Sequence, residues 1–280
     1  MKKLFKNKKG FDWAFLIAGV TVACLIFLFF QLNSKMEGFD RQIGSMQMDV
    51  IGSAQKSENL LFYLDQSSRL AACDAVYELA DKGGFASPDE KTAPLPGPGP
   101  TLITPAHTYW VKASTKKYEG HNFYKDFEVV FNDNLKKYLN SYNLNDAHVS
   151  MIPLDNYEFM VTDNIVSGSA IRDIEIVMPA SVSSYGAFAR YLFKPSFAVD
   201  FNTGIKNYFT IADQMTALLD CDDITAFVKN INTPGLKWSV TRLPDLKTYL
   251  FAVEQKNIEC SFKKDAPKIL FAVEKPLKMQ

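Results

Sequence analysis

The longest apolar run of the chain extends from Trp13 to Phe30 and contains no charged residue. Only Gly19 and Thr21 reduce its apolar character. A helix of this length is about 27 Å long, which is close to the thickness of the hydrocarbon core of a bilayer. The pattern therefore predicts a transmembrane helix over residues 11–32, with the lipid bilayer as its partner along Trp13–Phe30.

The segment after this span, residues 33–84, has the pattern of a helical stalk. Apolar residues recur at alternating spacings of three and four, as in a seam along which helices pack; they are Met36, Phe39, Ile43, Met46 and Val50. A homo-oligomer through the stalk helix and a helix that docks on its own head domain both fit this seam. We expect a break near Gly52, because each helical glycine costs roughly 1 kcal/mol relative to alanine.

The second half of the stalk, Glu58 to Lys82, is amphipathic and stops at the pair Gly83-Gly84. Glycine is the residue that most often ends a helix. This pattern favours docking on the head domain over a free coil.

Residues 85–106 form a predicted Pro/Gly-rich loop. They contain six of the thirteen prolines of the chain, with glycines alternating from Pro96 to Pro100. Proline interrupts both helices and central strands, so this segment is typical of a surface loop or linker.

Residues 107–280 have the pattern of one extracytoplasmic α+β head domain. A helix is predicted over 122–142, with an apolar face, and others over 205–219 and 222–231. Alternating apolar and polar residues predict strands over 147–152, 157–162, 165–169, 171–178, 187–201, 236–242, 247–255 and 268–275. Clustered strands and helices indicate an antiparallel sheet with helices on one face.

The charge distribution adds an orientation to this picture. Five lysines lie within residues 1–10, which predicts that this basic segment is cytoplasmic and that the rest lies outside the cell membrane, in a single-pass arrangement. From Asn33 onward, 26 basic residues stand against 30 acidic ones, a balance of −4. A nucleic-acid partner is not expected, because it would require a basic face.

The four cysteines are Cys24, within the apolar run, and Cys73, Cys221 and Cys260 beyond it. No C-x-x-C motif is present, so a zinc ribbon or thioredoxin-type site is not indicated. In an oxidising compartment one disulfide is expected, with Cys221–Cys260 the preferred pair. Buried free thiols are the alternative.

No residue is predicted to be catalytic, to bind a cofactor or to ligate a metal. The three histidines, His107, His121 and His148, lack the spacing of a metal pair, although Glu119 and His121 with His107 form a conceivable ligand set. The Ser181–Ser184 cluster has no marked base and is interpreted as a loop. Asp220, Asp222 and Asp223 are interpreted as helix caps and, less favoured, as a cation site.

The remaining candidates are aromatic residues that either line a ligand groove or belong to the core. The core is preferred for Phe193, Phe197 and Trp238; the others are Tyr109, Trp110, Tyr185 and Tyr191.

The N-terminus allows three interpretations. An uncleaved signal-anchor is favoured, because the run is too long for a cleavable signal peptide and no A-x-A site follows it. The junction Lys8-Lys9-Gly10-Phe11 is similar to the prepilin-like N-termini of archaeal pilin-like proteins, which are cut after the glycine. Phe15 stands where type IV pilins usually have glutamate. Lipidation of Cys24 is the third interpretation.

Several short segments follow one another in a characteristic order along the chain. After the lysine-rich start and the apolar span come Asp65-Gln66-Ser67, Ala75-Val76-Tyr77, Tyr157-Glu158-Phe159, Lys194-Pro195-Ser196-Phe197, Leu236-Lys237-Trp238 and Ile269–Val273. In this order the chain resembles uncharacterised single-span membrane proteins of small-genome, DPANN-type archaea. The resemblance implies no activity and no catalytic residue. Relatives are expected to carry cysteine-bearing insertions where this chain has its proline-rich loop.

These observations favour a membrane-anchored extracytoplasmic interaction or structural protein. The alternative is a pilin-like filament subunit processed after Gly10. A cell-envelope enzyme is less favoured, because no nucleophile–base or metal constellation is recognisable.

Overall fold

The computed structural model describes residues 8–87, 107–113, 115–145, 152–178, 189–231, 233–245, 247–258, 260 and 262–275. These residues form an α+β structure with an apolar helix at its N-terminal end. The chain divides into two compact units, residues 1–57 with 176–191, and residues 58–175 with 192–280. Predictions for most of the proline-rich loop, for residues 147–151 and for the Ser181–Ser184 cluster lie outside the described residues.

Helix α1 runs without interruption from Lys8 to Asp81. The expected break near Gly52 is therefore wrong. A single glycine lowers helix stability by only about 1 kcal/mol relative to alanine, which the neighbouring helical turns tolerate. Within the second unit the helix enters the core, where Leu60, Leu64 and Leu79 are at most 1% exposed.

The end of α1 is a glycine cap, as the sequence predicts. The amide of Gly84 donates to the carbonyl of Leu79 at 2.7 Å, and the amide of Gly83 donates to that of Ala80 at 3.0 Å. This pair of bonds is the Schellman motif, and it requires positive φ angles that glycine adopts readily. The φ values are +67° at Gly83 and +92° at Gly84.

The larger sheet contains β1 (Thr108–Lys112), β2 (Thr115–Lys116), β8 (Leu236–Arg242), β9 (Thr248–Gln255) and β10 (Lys268–Glu274), in the order β2-β1-β10-β9-β8. The last three strands agree with the sequence pattern, whereas β1 and β2 are not predicted by it. The β1–β10 pair is parallel and the other pairs are antiparallel, so the sheet is mixed. Strand β10 lies far from β1 in the sequence, so no hairpin joins these two strands and they can pair in parallel.

The smaller sheets come from the middle of the chain. Strands β3 (Tyr157–Val161), β4 (Ile165–Ala170) and β7 (Ser196–Asp200) pair antiparallel in the order β3-β4-β7. Strands β5 (Ile174–Met178) and β6 (Ala189–Phe193) form a two-stranded sheet. The predicted run 187–201 is divided into β6 and β7 around Pro195, which has no amide to donate.

Three further helices complete the described structure: α2 (Phe123–Asn145), α3 (Ile205–Asp220) and α4 (Ile224–Asn230). In α2 an apolar residue at every fourth position is at most 1% exposed; these are Phe123, Phe127, Phe131, Leu135 and Leu139. Aromatic stacking continues the core, with ring centroids 4.4 Å apart for Trp110 and Phe271 and 4.9 Å apart for Phe251 and Phe271.

The disulfide joins Cys73 in α1 to Cys260, and the Cα atoms are 6.0 Å apart. The predicted Cys221–Cys260 pair is therefore wrong. Cys221 is a free, partly exposed thiol after α3, and Cys24 is free and exposed. Cys260 pairs with Cys73 because the last turns of α1 enter the core of the second unit, which brings Cys73 to the loop before β10.

Candidate functional site

The most distinctive surface of the described chain is the apolar part of α1, Leu16–Met36. Its mean hydropathy is 2.2, and none of the apolar window is buried. Leu25, Phe27 and Phe29 are 65%, 64% and 67% exposed. The hydroxyl of Thr21 donates to the carbonyl of Ile17 at 2.8 Å, so this polar group is satisfied within the helix. By length and composition the helix suffices to cross a membrane, and a signal sequence has the same features.

A second candidate is a depression of about 350 Å³ beside the disulfide, which we call the lysine pocket; it is lined by Tyr77, Ile258, Cys260, Lys263, Lys264, Asp265 and Ala266. The Lys263 ammonium lies 3.1 Å from a carboxylate oxygen of Asp74 and 5.4 Å from the centre of the Tyr77 ring. The Tyr77 hydroxyl donates to the backbone carbonyl of Asp265. The positive charge of Lys263 is thus balanced within the protein, and an anionic ligand would compete with Asp74 for it.

A tyrosine network lies behind the lysine pocket and joins α1 to α2. The Tyr138 hydroxyl donates to the Asp74 carboxylate at 2.6 Å, and the Tyr63 hydroxyl donates to the carbonyl of Tyr138 at 2.7 Å. Burial and the hydrogen bond to Asp74 raise the pKa of Tyr138 to about 12. The phenol therefore stays protonated at neutral pH and acts as a structural donor.

His121 belongs to a structural contact and not to the conceivable ligand set. Its Nε2 lies 2.6 Å from the Asp126 carboxylate, in an orientation that is not aligned as a hydrogen bond. The other oxygen of Asp126 accepts from the amide of Ala86 at 2.8 Å, and the ring of Phe85 lies 4.3 Å from that of His121. These contacts attach the chain that follows α1 to the first turn of α2.

The described residues contain no group of three or more His, Cys, Asp or Glu side chains that could hold a metal ion. His148 lies outside this part of the chain. Within the acidic cluster, Asp223 is the helix cap that the sequence predicts, since its carboxylate accepts from the amides of Thr225 and Ala226 at 2.9 and 3.0 Å. Asp220 and Asp222 are exposed.

The aromatic candidates lie mainly in the core. Trp110 is fully buried, Tyr109 is 8% exposed and Phe197 is 6% exposed. Phe193 and Trp238 are partly buried and pack against the core, which confirms the core interpretation for these strand residues. Tyr191 is 39% exposed, and Tyr185 lies outside the described residues.

The outer face of the three-stranded sheet forms an open depression of about 370 Å³ that the sequence analysis missed. Its walls are Glu158, Met160, Ser167, Ser169 and Ser196, and Gly168 contributes to the floor. Strand alternation predicts that these residues share a face, but it does not predict which faces stay uncovered. Small side chains on β4 and β7 make this face shallow.

Comparison of the chain with protein-family models, with curated proteins and with solved structures finds no match. The resemblance to single-span archaeal proteins stays a prediction.

Proposed function

We propose that this chain is a single-pass membrane protein whose extracytoplasmic head acts as an interaction or structural module. The observation that carries this proposal is the complete exposure of the apolar window in Leu16–Met36. Each large apolar side chain left in water forgoes roughly 1.5–3 kcal/mol of burial free energy. A bilayer supplies that burial along the candidate span.

Two independent features support an external head. The five lysines within residues 1–10 favour a cytoplasmic N-terminus. The Cys73–Cys260 disulfide lies in the second unit, and such bonds persist mainly in oxidising compartments. Charge and redox chemistry therefore give the same orientation. In this arrangement residues 33–84 form the helical stalk, whose second half docks on the head. Helices cover one face of the sheet in the head, in keeping with the contacts of α4 with β8.

The anchor is tested by placing an arginine in the predicted span and, as a control, outside it. Leu25 and Met48 are 65% and 68% exposed, so the two sites are equivalent for a chain in water. In a bilayer, Leu25→Arg places a charge near the middle of the span at a cost of about 3 kcal/mol, whereas Met48→Arg remains in water. We expect alkaline carbonate to release the Leu25→Arg chain from membranes and to leave the Met48→Arg chain in the pellet. Equal behaviour of the two variants would reject the anchor.

The orientation is tested with Cys221 as a native reporter in a Cys24→Ser chain. Cys221 is the remaining free thiol once Cys24 is replaced, because Cys73 and Cys260 are joined. A membrane-impermeant maleimide should label it on intact cells. Labelling only after lysis would place the head in the cytoplasm.

A second candidate function is a pilin-like filament subunit. The observation that favours it is the continuity of α1, which runs from an exposed apolar part to a part buried in the core of the second unit. Mass spectrometry of the mature N-terminus separates the two candidates. A chain that begins at Phe11 supports the filament, and an intact lysine-rich start supports the anchor.

A further inference from the structure

Exposed apolar residues occur on α1 at the end of the candidate span, at Met36, and beyond it, at Val50. Met36 and Val50 are 63% and 62% exposed, although Val50 follows the span by fourteen residues and lies outside any bilayer that covers Leu16–Met36. At 1.5 Å per residue, these two side chains are separated by about 21 Å along the helix. Isolated exposed apolar residues are common on protein surfaces, and only a regular spacing of such residues indicates a surface for a partner.

Apolar residues alternate strictly at spacings of three and four from Leu32 to Val50, and the same register continues through Ser53 and Ser57 to Leu60 and Leu64; the apolar positions of the first part are Leu32, Met36, Phe39, Ile43, Met46 and Val50. The side chains of Phe39, Ile43 and Met46 lie outside the part of the chain that the structure describes. In the C-terminal part of this series the side chains are covered, since Ser53 and Ser57 are 3% and 5% exposed and Leu60 and Leu64 are fully buried. A seven-residue repeat sustained over this length is typical of a helix with a partner along its whole seam. At Val50, which lies beyond the candidate span, the described chain supplies no such partner.

We propose that the seam from Leu32 to Val50 pairs with the same seam of a second copy as a parallel two-stranded coiled coil. This inference rests on the proposed function, because a shared membrane holds two anchored copies parallel. In the seven-residue repeat, labelled a to g, Met36, Ile43 and Val50 occupy a positions. Leu32, Phe39 and Met46 then occupy d positions. Ile43 and Val50 are β-branched, and β-branched residues at a favour two strands over three or four.

The charges beside the seam suit parallel pairing. In this heptad register Lys35 occupies a g position and Asp40 the e position of the following heptad. In a parallel pair, the g residue of one helix faces the following e residue of the other. Two Lys35–Asp40 pairs of opposite charge therefore form in each dimer, one on each side of the seam.

Disulfide cross-linking of the full chain in native membranes tests the seam. Cys24→Ser and Cys221→Ser remove the free thiols. Val50→Cys then places a thiol at an a position, and Met48→Cys places one at an f position with nearly the same exposure, 62% against 68%. Residues at a positions of the two helices face each other, whereas residues at f positions point away. We therefore expect Val50→Cys to give roughly fivefold more cross-linked dimer than Met48→Cys.

Equal cross-linking at both sites, or none at either while the chain stays in the membrane, would overturn the coiled coil and leave the anchor intact. Release of the parent chain from the membrane would instead overturn the anchor.

Charge exchange in the Val50→Cys background tests the parallel register. Lys35→Glu places two acidic residues at each g–e pair, and Asp40→Lys places two basic residues there. Each single variant should lower the cross-linked fraction several-fold, and the double variant should restore it. A double variant that cross-links no better than the single variants would show that positions 35 and 40 do not face each other, and would overturn the proposed register.

Discussion

Gly83 and Gly84 show how single residues determine where the long helix ends. A Cβ atom at position 83 would lie 2.7 Å from the carbonyl oxygen of Leu270, which belongs to β10. One at position 84 would lie 2.8 Å from the ring of Tyr208. The indole of Trp110 also donates to the carbonyl of Gly83 at 2.7 Å. Glycine is therefore required at both positions by the positive φ angle, and also by the close approach of β10 at Gly83 and of the Tyr208 ring at Gly84.

Replacing Gly83 by alanine separates these two requirements when it is compared with the same change at Gly120. Gly120 has a φ of +74°, but a Cβ atom there would meet nothing within 4 Å. Gly120→Ala should lower the free energy of unfolding by about 1 kcal/mol through backbone strain alone. Gly83→Ala adds the contact with a backbone oxygen that cannot rotate away, so we expect a loss of about 2–4 kcal/mol. Denaturant unfolding monitored by Trp fluorescence measures both values; equal losses would show that packing at Gly83 is unimportant.

At the scale of elements, local patterns predicted helices and late strands well. The four-residue spacing of Phe123, Phe127 and Phe131 determines the buried face of α2, and alternation gives β8, β9 and β10 to within one residue at their ends. The turn predicted at Asp155-Asn156 also agrees, since Leu154 and Asp155 form a turn immediately before β3. These features depend on residues close together in the sequence.

The elements that sequence reasoning missed depend on distant partners. Strand β1, with the buried run from Thr108 to Val111, lacks alternation because both of its faces are buried, Trp110 in the main core and Tyr109 in a second cluster. The disulfide is hidden for the same reason, because Cys73 and Cys260 are separated by 187 residues. Among the candidate surfaces, the apolar part of α1 is predicted by the sequence, whereas the lysine pocket and the open face of the three-stranded sheet are not, because their exposure depends on how elements pack.

The Cys73–Cys260 bond ties α1 to the loop before β10 and gives a prediction at this scale. Closing so long a loop restricts the unfolded chain, and removal of a native disulfide typically costs 2–5 kcal/mol. Cys73→Ser and Cys260→Ser should therefore lower the Tm by similar amounts, and reduction of the parent chain should reproduce their effect. Cys221→Ser is the control and should leave the Tm unchanged, because Cys221 is a free thiol. A lower Tm for Cys221→Ser with no change for Cys73→Ser would contradict the observed pairing.

For the whole molecule, the distribution of burial along α1 separates three roles. Its apolar part Leu16–Met36 is exposed, Val50 beyond it is an exposed residue of the proposed seam, and its last part buries one face from Leu60 onward. One continuous helix thus presents an apolar surface for lipid, a seam for a second copy and a face for the core of the head. The first two roles are proposals, and each is tested by its own paired variants.

If these roles are separate, residues 53–280 should fold without the rest of the chain. This piece keeps Ser53 and Ser57, which are buried, together with the core that includes Leu60 and Leu64. It lacks the apolar part of α1 and the exposed seam, so we expect a soluble monomer with an intact Cys73–Cys260 bond and a single cooperative unfolding transition. The full chain in mild detergent should instead be dimeric. Light scattering coupled to gel filtration measures both masses. A dimeric piece would place the contact between copies on the head, and a piece that unfolds without cooperativity would show that the N-terminal part of α1 contributes to the core.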